Sequence, residues 1–212
     1  SEEDILHTTK VMGGEDWALW IDALLAEDLL SDNAKTIALP YIGPDITHSI
    51  YRNGTIGKAK EHLEKTATQL QEKMSAINGN ALISVNKAVV TQASSAIPVV
   101  PLYNSILYKV MKNKGVHEDC IQQIYRLFKD NVCKLQRDNP NSNFIRLDNL
   151  EMASDIQDAV KTLWQQVTTE NLEANSDIAG YRSDFHRLFG FASENVDYSE
   201  DIDPGYAIKS LL

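Results

Sequence analysis

Three consecutive segments decide the fold: Thr36-Ile-Ala-Leu-Pro-Tyr-Ile42, the helical stretch Gly57 to Ile77, and Ala81-Leu-Ile-Ser-Val85. The two flanking runs are short and apolar, and the first ends at the breaker Gly43-Pro44, so each reads as a buried strand. Between them Ile56, Ala59, Leu63, Ala67, Leu70, Met74 and Ile77 recur every three or four residues, one apolar stripe along a helix. Glu61 and Lys65, acid first and four apart, support the solvent face. Asn78-Gly79-Asn80 stops the helix. Strand, helix, strand predicts α/β with a parallel sheet covered by helices.

Working outward, Gly14 to Leu30 sets Trp17, Trp20, Ile21, Leu24, Leu25 and Leu29 at helical spacing. Tyr51 to Gly57 reads as a polar loop. Ala88 to Ala96 is rich in small and hydroxyl side chains, with Pro98 and Pro101 after it. Leu102 to Val110 and Ile121 to Phe128 predict helices parted at Gly115, and Asn139-Pro140-Asn141 predicts a turn. Phe144 to Leu147 predicts a third strand, and Ser154 to Gln166 and Ser176 to Leu188 predict further helices, before an acidic tail. The total is three strands and about six helices. Open sheets usually hold ~4–6 strands, so three short ones read as part of a larger sheet.

The 212 residues fit one domain, or one with a small appendage; 43% are hydrophobic and 24% charged, an ordinary globular balance. A net charge of −10 argues against nucleic acid and against an anionic membrane surface, both of which select basic side chains. No apolar run approaches the ~20 residues that span a bilayer. Glu2, Glu3 and Asp4 stand where a signal peptide carries positive charge, so a cytoplasmic location is expected. Cys120 and Cys133 make no disulfide framework and read as buried small hydrophobes.

Little of the usual catalytic vocabulary is present. His7, His48, His62, His117 and His186 form no HxxH or HExxH pair and have no cysteine at ligand spacing, so no metal is expected. There is no GxSxG, no GxxxxGK[ST] and no GxGxxG. The segment from Tyr41 to Lys60 stands apart. Tyr41 falls at the carboxyl end of a predicted strand, where open α/β sheets place their ligands. Lys60 lies about 100° from Ala59, on the edge of the apolar stripe, so it either snorkels or points into a cleft. Tyr51 and Lys60 are nine apart, on opposite sides of a continuous helix. They converge only if Gly54 and Gly57 break that helix. Spacing leaves the pair open.

This segment resembles the FabV-type enoyl reductases, or trans-2-enoyl-CoA reductases, relatives of the short-chain dehydrogenases. The resemblance is carried by Val11-Met-Gly-Gly-Glu-Asp-Trp17, Tyr41-Ile-Gly-Pro44, Tyr51-Arg-Asn-Gly-Thr-Ile-Gly-Lys-Ala-Lys60 and Ser84 to Tyr103. Weaker similarity runs to Phe191. The resemblance implies the carboxyl-terminal part of a Rossmann-like sheet with a predominantly helical substrate-binding portion. It further implies reduction of a trans-2-enoyl thioester of coenzyme A or acyl carrier protein by NADH, as in fatty-acid synthesis. Tyr51 and Lys60, eight residues between them, match the family's catalytic Tyr and Lys, and Tyr41 its second active-site tyrosine. By analogy Tyr51 stabilises the enolate, helped by the cation of Lys60. Lys60 also grips the nicotinamide ribose, with Val90, Thr91 and Gln92 on the cofactor. Tyr41, Ala93, Ser94, Ser95, Ile97 and Pro98 would face the substrate.

Members of that family are about twice as long, and residues 1–212 match only their catalytic and substrate-binding carboxyl-terminal half. The amino-terminal half, with its glycine-rich pyrophosphate turn, is expected as a partner that completes the sheet. The competing expectation is a non-catalytic binding or regulatory domain derived from such a reductase. A carbonyl-reducing short-chain dehydrogenase would instead carry Tyr and Lys separated by three residues, and no such pair is expected here.

Overall fold

Three parallel strands, β1 (Lys35–Ala38), β2 (Asn80–Val85) and β3 (Phe144–Arg146), form the sheet that the alternation predicts. Their order is β1-β2-β3, with Lys35 opposite Asn80 and Ile83 opposite Phe144. The computed structural model describes residues 1–133, 142–203 and 205; the predicted turn at Asn139-Pro140-Asn141 and the end of the acidic tail lie outside them.

The helices are α1 (Glu2–Met12), α2 (Glu15–Ala26), the single turn α3 (His48–Tyr51), α4 (Thr55–Met74), the single turn α5 (Gln92–Ser95) and α6 (Val100–Asn113). There follow α7 (Cys120–Leu127), a π-turn over Phe128–Val132, α8 (Ser154–Gln166), the single turn α9 (Leu172–Asn175) and α10 (Ile178–Arg187). The central strand β2 is buried on both faces, as an apolar run flanked by parallel neighbours demands. Its alternate side chains divide the core. Ala81 packs with Leu70 and Met74 of α4 and Ile21 of α2, and Ile83 and Val85 pack with Ala67 of α4. Leu82 points the other way, onto Leu127 of α7, Ile145 and Leu147. A second core joins Tyr103, Ile106, Leu107 and Met111 of α6 to Ile156 and Val160 of α8. This helical portion sits beyond the carboxyl ends of the strands.

Several boundaries move for local reasons. The first strand stops at Ala38 rather than Ile42, because Pro40 has no N–H to continue a ladder; its carbonyl instead accepts the Asn86 amide at 3.0 Å. Helix α2 ends at Ala26, ahead of Asp28 at φ +54°. Helix α1, which the sequence reading does not anticipate, opens on a capping box, Ser1 with Asp4, and buries no side chain, so no periodicity reveals it. Gly115, at φ +69°, ends α6 with its amide on the Lys112 carbonyl at 3.0 Å. Both cysteines are exposed, contrary to the expectation from their apolar character: Cys120 opens α7 and Cys133 follows the π-turn.

Candidate active site

The convergence of Tyr51 and Lys60 depends on a break in the chain between them. Helix α3 ends at Tyr51, Gly54 is extended (ψ −170°) and caps α4, and α4 starts at Thr55. Gly57 permits the tight return. A Cβ there would overlap the Arg52 carbonyl group and come within 2.9 Å of the Arg52 Cα. The single turn of α3 therefore folds back across the start of α4 at a distance only glycine allows. Tyr51 is thereby carried to the side of α4 that bears Lys60.

Lys60 is 8% exposed, so it does not snorkel to solvent. Its Nζ donates to the Tyr41 carbonyl oxygen, and to that of Tyr51 at 3.5 Å. It lies 4.5 Å from the Tyr51 ring centroid and 6.0 Å from that of Tyr41. The two rings meet edge to face at 5.0 Å and 90°. Burial lowers the Lys60 pKa to about 8, and nearby Arg52 adds to the effect. Burial also raises that of Tyr51, seconded by Tyr181. The expectation that the ammonium favours proton release from the phenol is thus not met: the cation stands over the ring face, and desolvation dominates both groups. What results is a neutral phenol, a hydrogen-bond donor, next to a cation of modest basicity.

Tyr41 is turned differently. Its hydroxyl donates to Glu151 Oε1 at 2.8 Å, and Tyr103 donates to the same oxygen at 2.6 Å. The Ala88 amide donates to Glu151 Oε2 at 2.7 Å. Gln157 reaches from α8 to the Glu151 carbonyl at 2.7 Å. Glu151 is fully buried, and burial raises its pKa, opposed by these donors and by the charge of Lys87. Lys87 is itself fully enclosed, donates to the Ala88 carbonyl at 2.8 Å and is lowered by burial to about 8. Burial, then the charge of Glu151, holds the Tyr41 hydroxyl well above the ordinary phenol value.

Tyr41, Tyr51 and Lys60 line one cavity of about 370 Å³ together with Thr91, Ala93, Ser94 and Ile97. Met12, Leu39, Pro40, Ile56 and Leu63 supply the remaining wall, which is largely apolar and was not anticipated. Of the other expected contacts, Val90 is buried against Tyr108 and Tyr181, while Gln92, Ser95 and Pro98 do not line the cavity. Thr91 caps α5, its hydroxyl accepting the Ser94 amide at 3.0 Å. Glu151, Tyr103 and Lys87 were missed by sequence reasoning. The signal was a single carboxylate in the apolar run Leu150-Glu151-Met152-Ala153 and a lysine beside a buried strand.

Two pairs carry the three-residue separation of carbonyl-reducing dehydrogenases, Tyr108 with Lys112 and Tyr125 with Lys129. Neither reaches the cavity. The Tyr108 hydroxyl accepts the Val90 amide at 3.2 Å, Lys112 pairs with Asp177 at 2.5 Å, and Tyr125 is 64% exposed. Among the described residues no group of three or more His, Cys, Asp or Glu is placed to hold a metal ion, and no helix is long and apolar enough to cross a membrane.

The chain resembles known proteins along most of its length. Residues 1–133 match the family model described as the trans-2-enoyl-CoA reductase catalytic region, and residues 140–202 that described as the enoyl reductase FAD binding domain. Every residue lining the cavity falls in the first match. The chain is 54% identical over 213 residues to an enoyl-[acyl-carrier-protein] reductase [NADH] of Coxiella burnetii, covering 100% of this chain and 52% of that protein. It is 56% identical over 206 residues to a trans-2-enoyl-CoA reductase [NADH] of Clostridium perfringens, covering 96% and 52%. A crystal structure of the Clostridium acetobutylicum trans-2-enoyl-CoA reductase in complex with NADH superposes with a TM-score of 0.92 at 49% identity, over 96% of this chain and 52% of that one. The Treponema denticola enzyme in complex with NAD gives 0.88 at 47% identity, over 95% and 51%. The chain thus spans about half the length of the relatives it matches, and by sequence and by fold it belongs to the trans-2-enoyl-CoA reductase family.

Proposed function

We propose that this chain carries the catalytic and substrate-binding half of an NADH-dependent reductase of trans-2-enoyl thioesters, of coenzyme A or of acyl carrier protein. The observation that carries the reading is the meeting of Tyr51 and Lys60 on one apolar-walled cavity at the carboxyl edge of a parallel sheet. Reduced nicotinamide supplies the hydride for the β-carbon of the enoyl group. The chain's residues fit a dihydronicotinamide riboside: the Lys60 ammonium has three protons, and two backbone carbonyls account for two of them. The third is available to a ribose hydroxyl, and Thr91 stands on the same wall for the carboxamide.

Tyr51 is the group for the thioester carbonyl. Its neutral phenol donates a hydrogen bond to the oxygen on which negative charge develops, a contribution that mutagenesis of such donors puts at ~10²–10³ in turnover. Protonation of the α-carbon then completes the reduction. Leu39, Ile56, Leu63 and Ile97 line the cavity with hydrocarbon and match an acyl chain in polarity. Partnership with an amino-terminal half is supported by β1 standing as an edge strand of the described sheet and by apolar side chains left at the surface of α1 and α2, Val11 at 82% and Trp20 at 69% exposure among them.

The test mixes the chain with crotonyl-CoA and NADH, with and without the amino-terminal half of a close relative, and follows loss of reduced-cofactor absorbance. Turnover that needs both halves and falls by ~10²-fold or more in Tyr51→Phe supports the reading. No turnover in any combination, with cofactor binding retained, favours the non-catalytic binding domain instead.

A further inference from the structure

We propose that Glu151 is the positioning residue of this site: its carboxylate accepts the hydrogen bond of the Tyr41 hydroxyl, so that of the two tyrosines on the cavity only Tyr51 offers a phenolic proton to a bound ligand. The inference deepens the reductase reading and rests on it. Tyr41 and Tyr51 are ring neighbours at 5.0 Å and touch the same cavity, yet their hydroxyls have different surroundings. That of Tyr41 is engaged at 2.8 Å by Glu151 and lies beside Thr47 and Gly43, where a Cβ on Gly43 would come within 2.7 Å of the Tyr41 Cζ. A phenol has one proton, and here it is spent.

The carboxylate is built to receive it. Two phenols and a backbone amide converge on Glu151, three donors that suit an acceptor-only group, in a fully buried position where rearrangement would leave a polar atom unpaired. The Ala88 amide fixes the second oxygen and Gln157 holds the backbone, so the first oxygen has one aim. The Tyr41 backbone carbonyl in turn accepts from Lys60. Tyr41 is therefore a strut: its hydroxyl is anchored in the core, its ring edge meets Tyr51, and its carbonyl holds the ammonium. Glu151 acts on the site through it.

Two readouts test the assignment. The first needs no turnover. A phenolic proton held by a buried carboxylate exchanges slowly and gives a downfield hydroxyl resonance in the proton NMR spectrum of this chain. Tyr41→Phe should remove one such resonance and Tyr51→Phe none. Loss of a resonance in Tyr51→Phe, or none in Tyr41→Phe, overturns the proposal. The second uses the chain with its amino-terminal half. Glu151→Gln, which keeps an acceptor for Tyr41 at the cost of setting its amide nitrogen against the Ala88 N–H, should retain kcat within about tenfold, whereas Glu151→Met, of similar volume without an acceptor, should lose roughly 100-fold with KM for NADH little changed. Equal losses in the two folded variants would mean a packing role and sink the proposal. Should Glu151→Met fail to fold, Tyr41→Phe replaces it, with about a tenfold fall in kcat expected against ~10²-fold or more for Tyr51→Phe. Absence of turnover in the wild type would end the reductase reading alone, and the hydroxyl resonances would still decide the role of Glu151.

Discussion

Gly57→Ala adds one methyl group at a point where backbone leaves no room for it. In an exposed helix interior the same change stabilises by ~1 kcal/mol, because alanine has less backbone freedom to lose. At Gly57 the new Cβ would sit inside the Arg52 carbonyl group, and the obstacle is backbone that no rotamer change can move aside. The α3–α4 turn would have to retreat by roughly an ångström or more, in an interior packed at crystal density. Overpacking of this kind costs ~1–3 kcal/mol and occasionally more; a backbone obstacle places Gly57 at the upper end, so after the ~1 kcal/mol propensity gain a net loss of about 2 kcal/mol is expected. For a chain of this size that lowers Tm by roughly 4–8 °C. The retreat also draws the Tyr51 carbonyl away from Lys60, a bond already at 3.5 Å. Thermal unfolding followed by circular dichroism gives the first number, and NADH binding by the chain with its amino-terminal half checks the second. A Gly57→Ala chain as stable as the wild type would refute the account of how Tyr51 reaches Lys60.

Stability should rise with pH from 8 toward 10 and then fall. Lys60 and Lys87 have folded pKa values of about 8 against 10.5, so in that window the unfolded chain binds protons the folded one has shed. Below 8 both are charged in the fold and their burial counts fully against it. Above about 10 the sign reverses, because Tyr41 and Tyr103 stay protonated in the fold while unfolded phenols ionise. Urea midpoints across pH 7–11 check this, and Lys60→Met should flatten the rising limb. Val99 has φ +76° and ψ −39°, a region β-branched residues avoid, so Val99→Gly should raise stability by ~1 kcal/mol in urea unfolding. Cys120 and Cys133 should both react with a thiol reagent in the native chain without denaturant.

The sheet and its central helix were legible because α4 keeps a clean helical period and β2 is a short, uninterrupted apolar run of the kind that a parallel sheet buries on both faces. Helix α4 was anticipated to begin at Gly57 and begins at Thr55. The first helix was hidden because it buries nothing, so no apolar stripe marks it; only Ser1 and Asp4 do. In the site, Gly54 and Gly57 suggested that Tyr51 and Lys60 could meet, yet only the overlap at Arg52 shows why they do. Glu151 showed a local sign of burial, a lone carboxylate in an apolar run, but what it binds was unreadable. Its partners Tyr41, Ala88 and Tyr103 lie 110, 63 and 48 residues away, and no local pattern encodes such separations.

Those separations bear on how the protein can be re-engineered. Tyr41 follows β1, Ala88 follows β2 and Glu151 follows β3, so a single side chain ties together the three loops at the rim of the sheet. A chimera that imports one of these loops from a more divergent relative inherits two thirds of a knot. The segments around Tyr41, Ala88 and Glu151 must travel as one block, and crossover points belong in the outer turns of α4 and α8 instead.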